Sequence, residues 1–254
     1  VTEGLMKIIN CKNEHDIKKC LKQSRSYMAN LMEYNVNIKP QLFEGDDTLH
    51  LVLGGPQIEI IGERAFANCW NLERFDGLPK VIGPAAFTFC ESLKDFNFTT
   101  INNLYPDAFS YSGLQQVELP SNIKNIPPRC FQACLRLRNL NLNRVETIEE
   151  EAFQSSGIKV LNIPISLETI GKKSFEGCVY LSDIVCERFL PPKLAASTFY
   201  GCSIKNIWVF SEAQLEFYLK DRYWSKFDGH FRIGTPKVLK QRMEEIRSQK
   251  DILW

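Results

Sequence analysis

From residue 61 to residue 209 the apolar positions of the chain return on a fixed beat. Phe66, Phe87, Phe109, Phe131, Phe153, Phe175 and Phe199 lie 21, 22, 22, 22, 22 and 24 residues apart. Five residues before each stands an aliphatic side chain, from Ile61 and Ile82 to Ile170 and Leu194. Directly before it is a small residue or Cys130, and three residues after it comes Cys or Ser: Cys69, Cys90, Ser112, Cys134, Ser156, Cys178 and Cys202. Each unit then closes on a triplet spaced i, i+3, i+5, apolar but for Gly77, such as Leu114/Val117/Leu119 or Ile158/Leu161/Ile163. A sustained period of this length marks a protein of stacked repeats, in which each unit buries its apolar side against its neighbours.

The triplet predicts a short strand whose last two apolar members point inward while their neighbours point outward. The segment around each Phe is too short for a long helix, so a turn or a single helical turn is expected there, with the ring plugging the interior. Leu49, Leu51 and Leu53 alternate as a strand would and read as a starting half repeat ended by Gly54-Gly55-Pro56. Before it, Ile17, Leu21, Met28, Leu31 and Met32 fall at helical spacing behind Asn13 and Asp16, opposite Lys18, Lys19, Lys22 and Arg25. They predict a helical cap over the open end of the stack. Residues 37–46, with Pro40 and Gly45, read as a connector. After the last unit, Ser211-Glu-Ala-Gln214 has the form of a capping box opening a helix through Leu215, Tyr218 and Leu219. Trp224, Phe227 and Ile233 are expected to close the core. Thr235-Pro236 starts a final amphipathic helix whose stripe is Leu239, Met243, Ile246 and Leu253.

The repeat I-G-x-x-A-F-x-x-C-x-x-L-x-x-(F/I/L)-x-(L/I)-P is matched closely at Ile61 through Cys69 and again at Ile170 through Cys178. In this the sequence resembles the BspA-like leucine-rich repeats, over residues 49–233. Cys186 through Pro191-Pro192, Ile207-Trp208-Val209, the Gln214–Tyr218 segment and Trp224-Ser225-Lys226-Phe227 resemble the closing module of the bacterial branch. The resemblance implies an α/β solenoid, a right-handed leucine-rich repeat superhelix dominated by β-structure; the residues outside the family pattern add the expected helical N- and C-terminal caps. It also implies a surface-displayed or secreted binding protein that contacts host proteins, host cells or other microbes. The expected organisation is a cap or docking segment over 1–47, the solenoid over 48–233 and a C-terminal amphipathic helix over 234–254.

Composition narrows the function further. A formal net charge of +1 gives no electrostatic reason for nucleic acid or an anionic membrane as partner. No apolar run approaches the ~18 residues of a membrane span, and no signal peptide is visible, although the chain starts at Val1. Both surface and intracellular or virion locations therefore stay open. Five of the nine cysteines share one repeat slot with two serines, which fits a buried ladder of reduced thiols rather than a disulfide framework. The three histidines, His15, His50 and His230, have no metal-ligand or triad spacing. Cys130 and Cys134 are wrongly spaced for zinc or a redox motif, and no phosphate-binding or nucleophile-elbow loop occurs. No catalytic residue, cofactor or metal is expected.

What remains is recognition. The outward strand positions are Arg74, Asp76, Asp95, Asn97, Gln116, Glu118, Asn139, Asn141, Asn162, Asp183, Asn206 and Trp208, with Val160 and Val185 among them. Singly, each is an ordinary solvated residue; together they form a candidate face for a protein or glycan ligand. Trp208 and Arg74 are the best anchors, although Trp208 could instead pack beneath the following helix. Two functions follow. One is an adhesion-like, non-enzymatic module binding through the sheet face. The other is a structural component of a larger cellular or viral assembly, docked through the terminal helices and the stripe Leu239, Met243, Ile246 and Leu253.

Overall fold

The computed structural model describes residues 7–13, 27–33, 37–55, 57–235 and 241. They form a parallel β-solenoid of leucine-rich repeat type, mostly strand and turn, with one α-helix (Glu212–Lys220) and one 3-10 helix (Trp224–His230) among the described elements. The main sheet follows the triplets. Its strands run in three hydrogen-bonded stretches: Lys7–Asn10, Tyr27–Leu31, Leu49–Gly54 and Arg74–Asp76; then Gln116–Glu118 with Asn139–Asn141; then Val160–Ile163, Asp183–Cys186, Asn206–Val209 and Phe231–Ile233. Register keeps inward residues in columns, with Leu161 beside Ile184, Ile184 beside Ile207 and Ile207 beside Phe231. A second set of two-residue strands, from Ile60–Ile61 to Lys193–Leu194, carries the aliphatic residue five places before each Phe.

Between the two sheets runs the aromatic column. Successive rings from Phe66 to Phe199 stack nearly parallel at 5.1 to 5.8 Å. Rings stacked at this distance contribute beyond their area burial, and one ring per repeat fixes the vertical register of the whole stack. The small residue before each Phe is needed because that position is also buried, as Ala65, Ala86, Ala108 and Ala152 show.

Phe43 adds an eighth ring, stacked on Phe66 at 5.0 Å, while Ile38 bridges Ile61. Residues 37–46 are therefore a working repeat and not a connector. In it Leu42 replaces the small residue and Asp46 occupies the Cys slot, where it accepts hydrogen bonds from the backbone and hydroxyl of Thr48. At the end of the expected helical N-terminal cap the structure has a strand instead. Met28 and Leu31 lie in the strand Tyr27–Leu31, which pairs in parallel with Lys7–Asn10 and Leu49–Gly54. Ala29 and Leu31 are buried in strand alternation; Asp16, Ile17 and Leu21 lie outside the described residues.

At the far end Phe199 meets Trp224 and Phe227, and Trp224 donates its indole N–H to the carbonyl of Pro192. Trp224 is fully buried, whereas Ile233 stays exposed at the sheet edge. Ser211 caps the helix by accepting from the Gln214 amide N–H. The Gln214 side chain accepts from the Phe210 N–H and donates to the carbonyls of Cys186 and Arg188, fastening the helix to the preceding repeat. The expected final helix falls almost wholly outside the described residues.

Candidate binding face

The outer face of the main sheet divides in two. Over the earlier repeats Arg74, Asp95, Asn97, Gln116, Glu118, Asn139 and Asn141 are exposed and Asp76 is half-buried. Arg74 pairs with Asp76 within its own strand, Nε to Oδ1 at 2.6 Å, and the Gln116 amide donates to Asp95 at 3.2 Å. Two asparagines turn their carbonyls back onto the chain. Asn97 accepts from the N–H and hydroxyl of Thr99, and Asn141 from the N–H of Asn143, which ends both segments in side-chain-closed turns.

Over the later repeats the outer face is apolar and covered. Val160 and Val185 are buried, with Trp208 and Phe210 packed over them. Asp183 is only 1% exposed. Its carboxylate accepts from Ser182 Oγ at 2.7 Å and from Asn206 Nδ2 and Trp208 Nε1, both at 3.0 Å. Trp208 is thus tied to the sheet by its own N–H and packs against Val160 and Val185. Asn162 is half-buried, and its Oδ1 is buried without a hydrogen-bond partner among the described residues. The outward alternation of Asp183, Asn206 and Trp208 was readable in the sequence; their mutual bonding was not. Leu239, Met243, Ile246 and Leu253 lie outside the described residues.

The expected strand at residues 95–97 does not form. Phe96 and Phe98 both turn into the core, Phe96 stacked on Phe75 and edge-on to Phe87 and Phe109, Phe98 tilted against Phe109. The break opens a cleft of about 520 Å³ on the outer face, lined by Arg74, Asp76, Lys94, Asp95 and Asn97 with Phe75 and Phe96 among its walls.

Sequence reasoning passed over the turns that follow each core Phe. The residue two places after the Phe has a left-handed backbone in every repeat, and the slot holds Asn68, Ala133, Ser155, Gly177 and Gly201. In two adjacent repeats it holds rings instead. Phe89 and Tyr111, each with φ of 58°, stack at 4.5 Å on the surface. Bulky residues are rare in this backbone region, and that mismatch between slot and residue was the available signal.

Cys69, Cys90, Cys130, Cys134, Cys178, Cys186 and Cys202 form no disulfides, and all are buried except Cys202, which is half-buried. Burial raises Cys90 and Cys130, and pushes Cys134 up to about 11 and Cys186 up to about 12. The Cys202 thiol is pushed up by the neighbouring Cys178 and by burial. No group of three or more His, Cys, Asp or Glu that could hold a metal ion occurs among the described residues. No helix among them is long and apolar enough to cross a membrane.

The model of the BspA type leucine rich repeat region matches in six copies, over residues 18–138, 59–182 and 102–216. Two solved structures are similar. A leucine rich cell surface protein from Faecalibacterium prausnitzii is 27% identical, with a TM-score of 0.57 over 61% of this chain and 44% of its own. A leucine-rich repeat protein from Bacteroides ovatus is 23% identical, with a TM-score of 0.60 over 82% of this chain and 64% of its own. The chain therefore spans less than two thirds of either. A comparison with curated proteins finds no match.

Proposed function

Because the chain belongs to the BspA-type leucine-rich repeat family, we propose that it is a non-enzymatic recognition module that binds a protein partner through the outer face of its main sheet. One observation carries this reading. Parallel sheets are ordinarily covered on both faces, yet from Arg74 to Asn141 this one presents exposed, chemically varied side chains and no covering element among the described residues. Strands ~4.8 Å apart make that surface broad enough for a protein and larger than a metabolite requires.

The covered end supports a division of labour. Asp183, Trp208, Val160 and Val185 satisfy one another and serve the fold, which leaves Arg74, Asp76, Asp95, Asn97, Gln116, Glu118, Asn139 and Asn141 as the recognition surface. The cleft beside Arg74 and Asp95 gives it a recess in which a partner side chain could be anchored. Solenoids use such extended faces in binding. Display at the cell surface, or secretion, is the setting this reading favours, since the Faecalibacterium relative is a cell surface protein.

The test is capture of a partner from cells or matrix by the intact chain and by a variant with Asp95, Gln116, Glu118 and Asn139 replaced together by Ala. Loss of capture with an unchanged melting temperature is expected. Normal capture by that variant, lost instead on removal of residues 236–254, would replace the face by the terminal segment.

A further inference from the structure

A second site lies off the sheet face, in the turns that precede the main strands. The repeat containing Phe109 reaches its strand one residue early: five residues separate Phe109 from Leu114, against six between Phe87 and Leu93 and between Phe131 and Leu137. The missing residue leaves a notch of about 180 Å³ lined by Glu91, Tyr111, Gly113, Ala133, Leu135 and Arg136, with Ser112 beneath. The same shortening recurs at Gly157, but there Arg138 fills the gap, its Nη1 donating to the carbonyls of Leu135 and Gly157 at 2.8 Å. The equivalent of Arg138 one notch earlier is Lys94, which lines the cleft on the outer face instead.

Tyr111 forms one wall of this notch and is 42% exposed. Phe89 covers one face of its ring at 4.5 Å. The next residue in the same slot is Ala133, a methyl group where the two preceding repeats have rings, so the second face of Tyr111 is left to the notch. Both rings sit on left-handed backbone that the other repeats give to small residues or Asn. Glu91 and Arg136 take up no ion pair with one another or with any other described residue.

We propose that this notch binds a neutral pyranose sugar, stacked on the free face of Tyr111. The C–H face of a sugar ring suits an aromatic plane. Its hydroxyls both donate and accept, as the adjacent guanidinium and carboxylate require, and the lining charges cancel, which favours a neutral ligand. The volume is about that of six waters at ~30 Å³ each, enough for one ring and too small for a folded element. An aromatic side chain from a protein would stack equally well but would bring no set of hydroxyls to Glu91 and Arg136.

Saturation-transfer difference NMR on the intact chain tests this, with free glucose, galactose, mannose, N-acetylglucosamine and their disaccharides as probes and N-acetyl-tryptophanamide as the aromatic competitor. Transfer to the ring C–H protons of at least one saccharide is expected. It should fall at least tenfold in Tyr111→Ala, and likewise in Ala133→Phe, which puts a ring where the sugar would lie on backbone (φ 54°) close to that of Phe89. The sheet-face quadruple variant should leave the signal unchanged, which separates this site from the recognition face. The proposal is overturned by transfer to none of the saccharides, by transfer to the tryptophan amide alone, or by a saccharide signal that survives in a folded Ala133→Phe protein.

Discussion

The thiol of Cys134 donates to the carbonyl oxygen of Phe109, one repeat back, at 3.2 Å. The same bond joins Cys69 to Phe43, Cys90 to Phe66, Cys178 to Phe153 and Cys202 to Phe175, at 3.0 to 3.1 Å. It accounts for the prevalence of Cys in this slot: the side chain is small enough for the interior, and its thiol donates to the carbonyl of the Phe that anchors the neighbouring repeat. Ser112 and Ser156 keep the chain of contacts, lying 3.4 and 3.3 Å from the thiols of Cys134 and Cys178.

These thiols predict an alkaline limit to stability. Cys134 is pushed from 9.0 to about 11 and Cys186 to about 12, in both cases chiefly by burial. In the unfolded chain they ionise near 9, so above that pH the unfolded state sheds protons that the folded state keeps. Their contribution is complete below pH 9 and is lost as pH rises through 11 to 12. Each such thiol contributes a slope of up to about 1.4 kcal/mol per pH unit in that window. Thermal melts from pH 8 to 11 should show a falling melting temperature, with a shallower fall in Cys134→Ser. A flat profile would mean that the ladder is open to water.

The aromatic column predicts a graded cost. Phe131 is fully buried between Phe109 at 5.8 Å and Phe153 at 5.3 Å. Phe131→Ala should lower stability by about 3–5 kcal/mol, read from chemical denaturation. Phe43→Ala should also be costly, by about 2–4 kcal/mol, because Phe43 is buried and stacked on Phe66. If Phe43→Ala melts like the parent, the first repeat is not part of the cooperative unit.

That second substitution touches a position the sequence concealed. The repeats from Phe66 onward were legible because many slots agree at one period. Phe43 was not, because its unit has Leu42 where the others are small, Asp46 where they have Cys, Pro40 within it and 23 residues to the next ring. Farther back, Met28, Leu31 and Met32 fit a helical face by spacing, yet the first two belong to a strand. In such a short segment the pairing partners Lys7–Asn10 and Leu49–Gly54 override local periodicity. The outward alternation was readable over all seven units, but cover was not. Nothing in the local pattern tells that Trp208 packs against Val185 while Gln116 stands free. The notch at Gly113 was hidden as well, since it arises from one missing residue set between two longer neighbours.

Glycines at the short turns should be less replaceable than those at open ones. A Cβ on Gly113 would lie 2.1 Å from the backbone carbonyl oxygen of Glu91, which cannot swing aside. Gly113→Ala should therefore lose about 1–3 kcal/mol through forced backbone movement. Gly45 has φ of +75° but nothing within 4 Å of the added atom. Gly45→Ala should cost only the left-handed strain, about 1 kcal/mol. Equal melting temperatures for the two variants would show that the Gly113 turn yields easily.

Asp183 should be the most sensitive outward position on the sheet. Its side chain is on the face where other repeats carry exposed Gln116 or Asn139, yet it is buried and accepts from Ser182, Asn206 and Trp208. Removing the carboxylate strands at least the indole N–H of Trp208 and the amide of Asn206, and a buried donor left unsatisfied costs about 1–3 kcal/mol. Asp183→Ala should thus lower stability by about 2–4 kcal/mol, while Gln116→Ala, exposed and bonded only at the surface to Asp95, should stay within ~0.5 kcal/mol. The two partners should also be coupled. In a double-mutant cycle of Asp183→Ala with Trp208→Phe, the second substitution removes the N–H that the first leaves stranded, so the pair should be less destabilised than the sum of the singles by about 1 kcal/mol or more. Strict additivity would mean that Trp208 is held by its packing on Val160 and Val185 alone, and that the buried carboxylate serves its other donors.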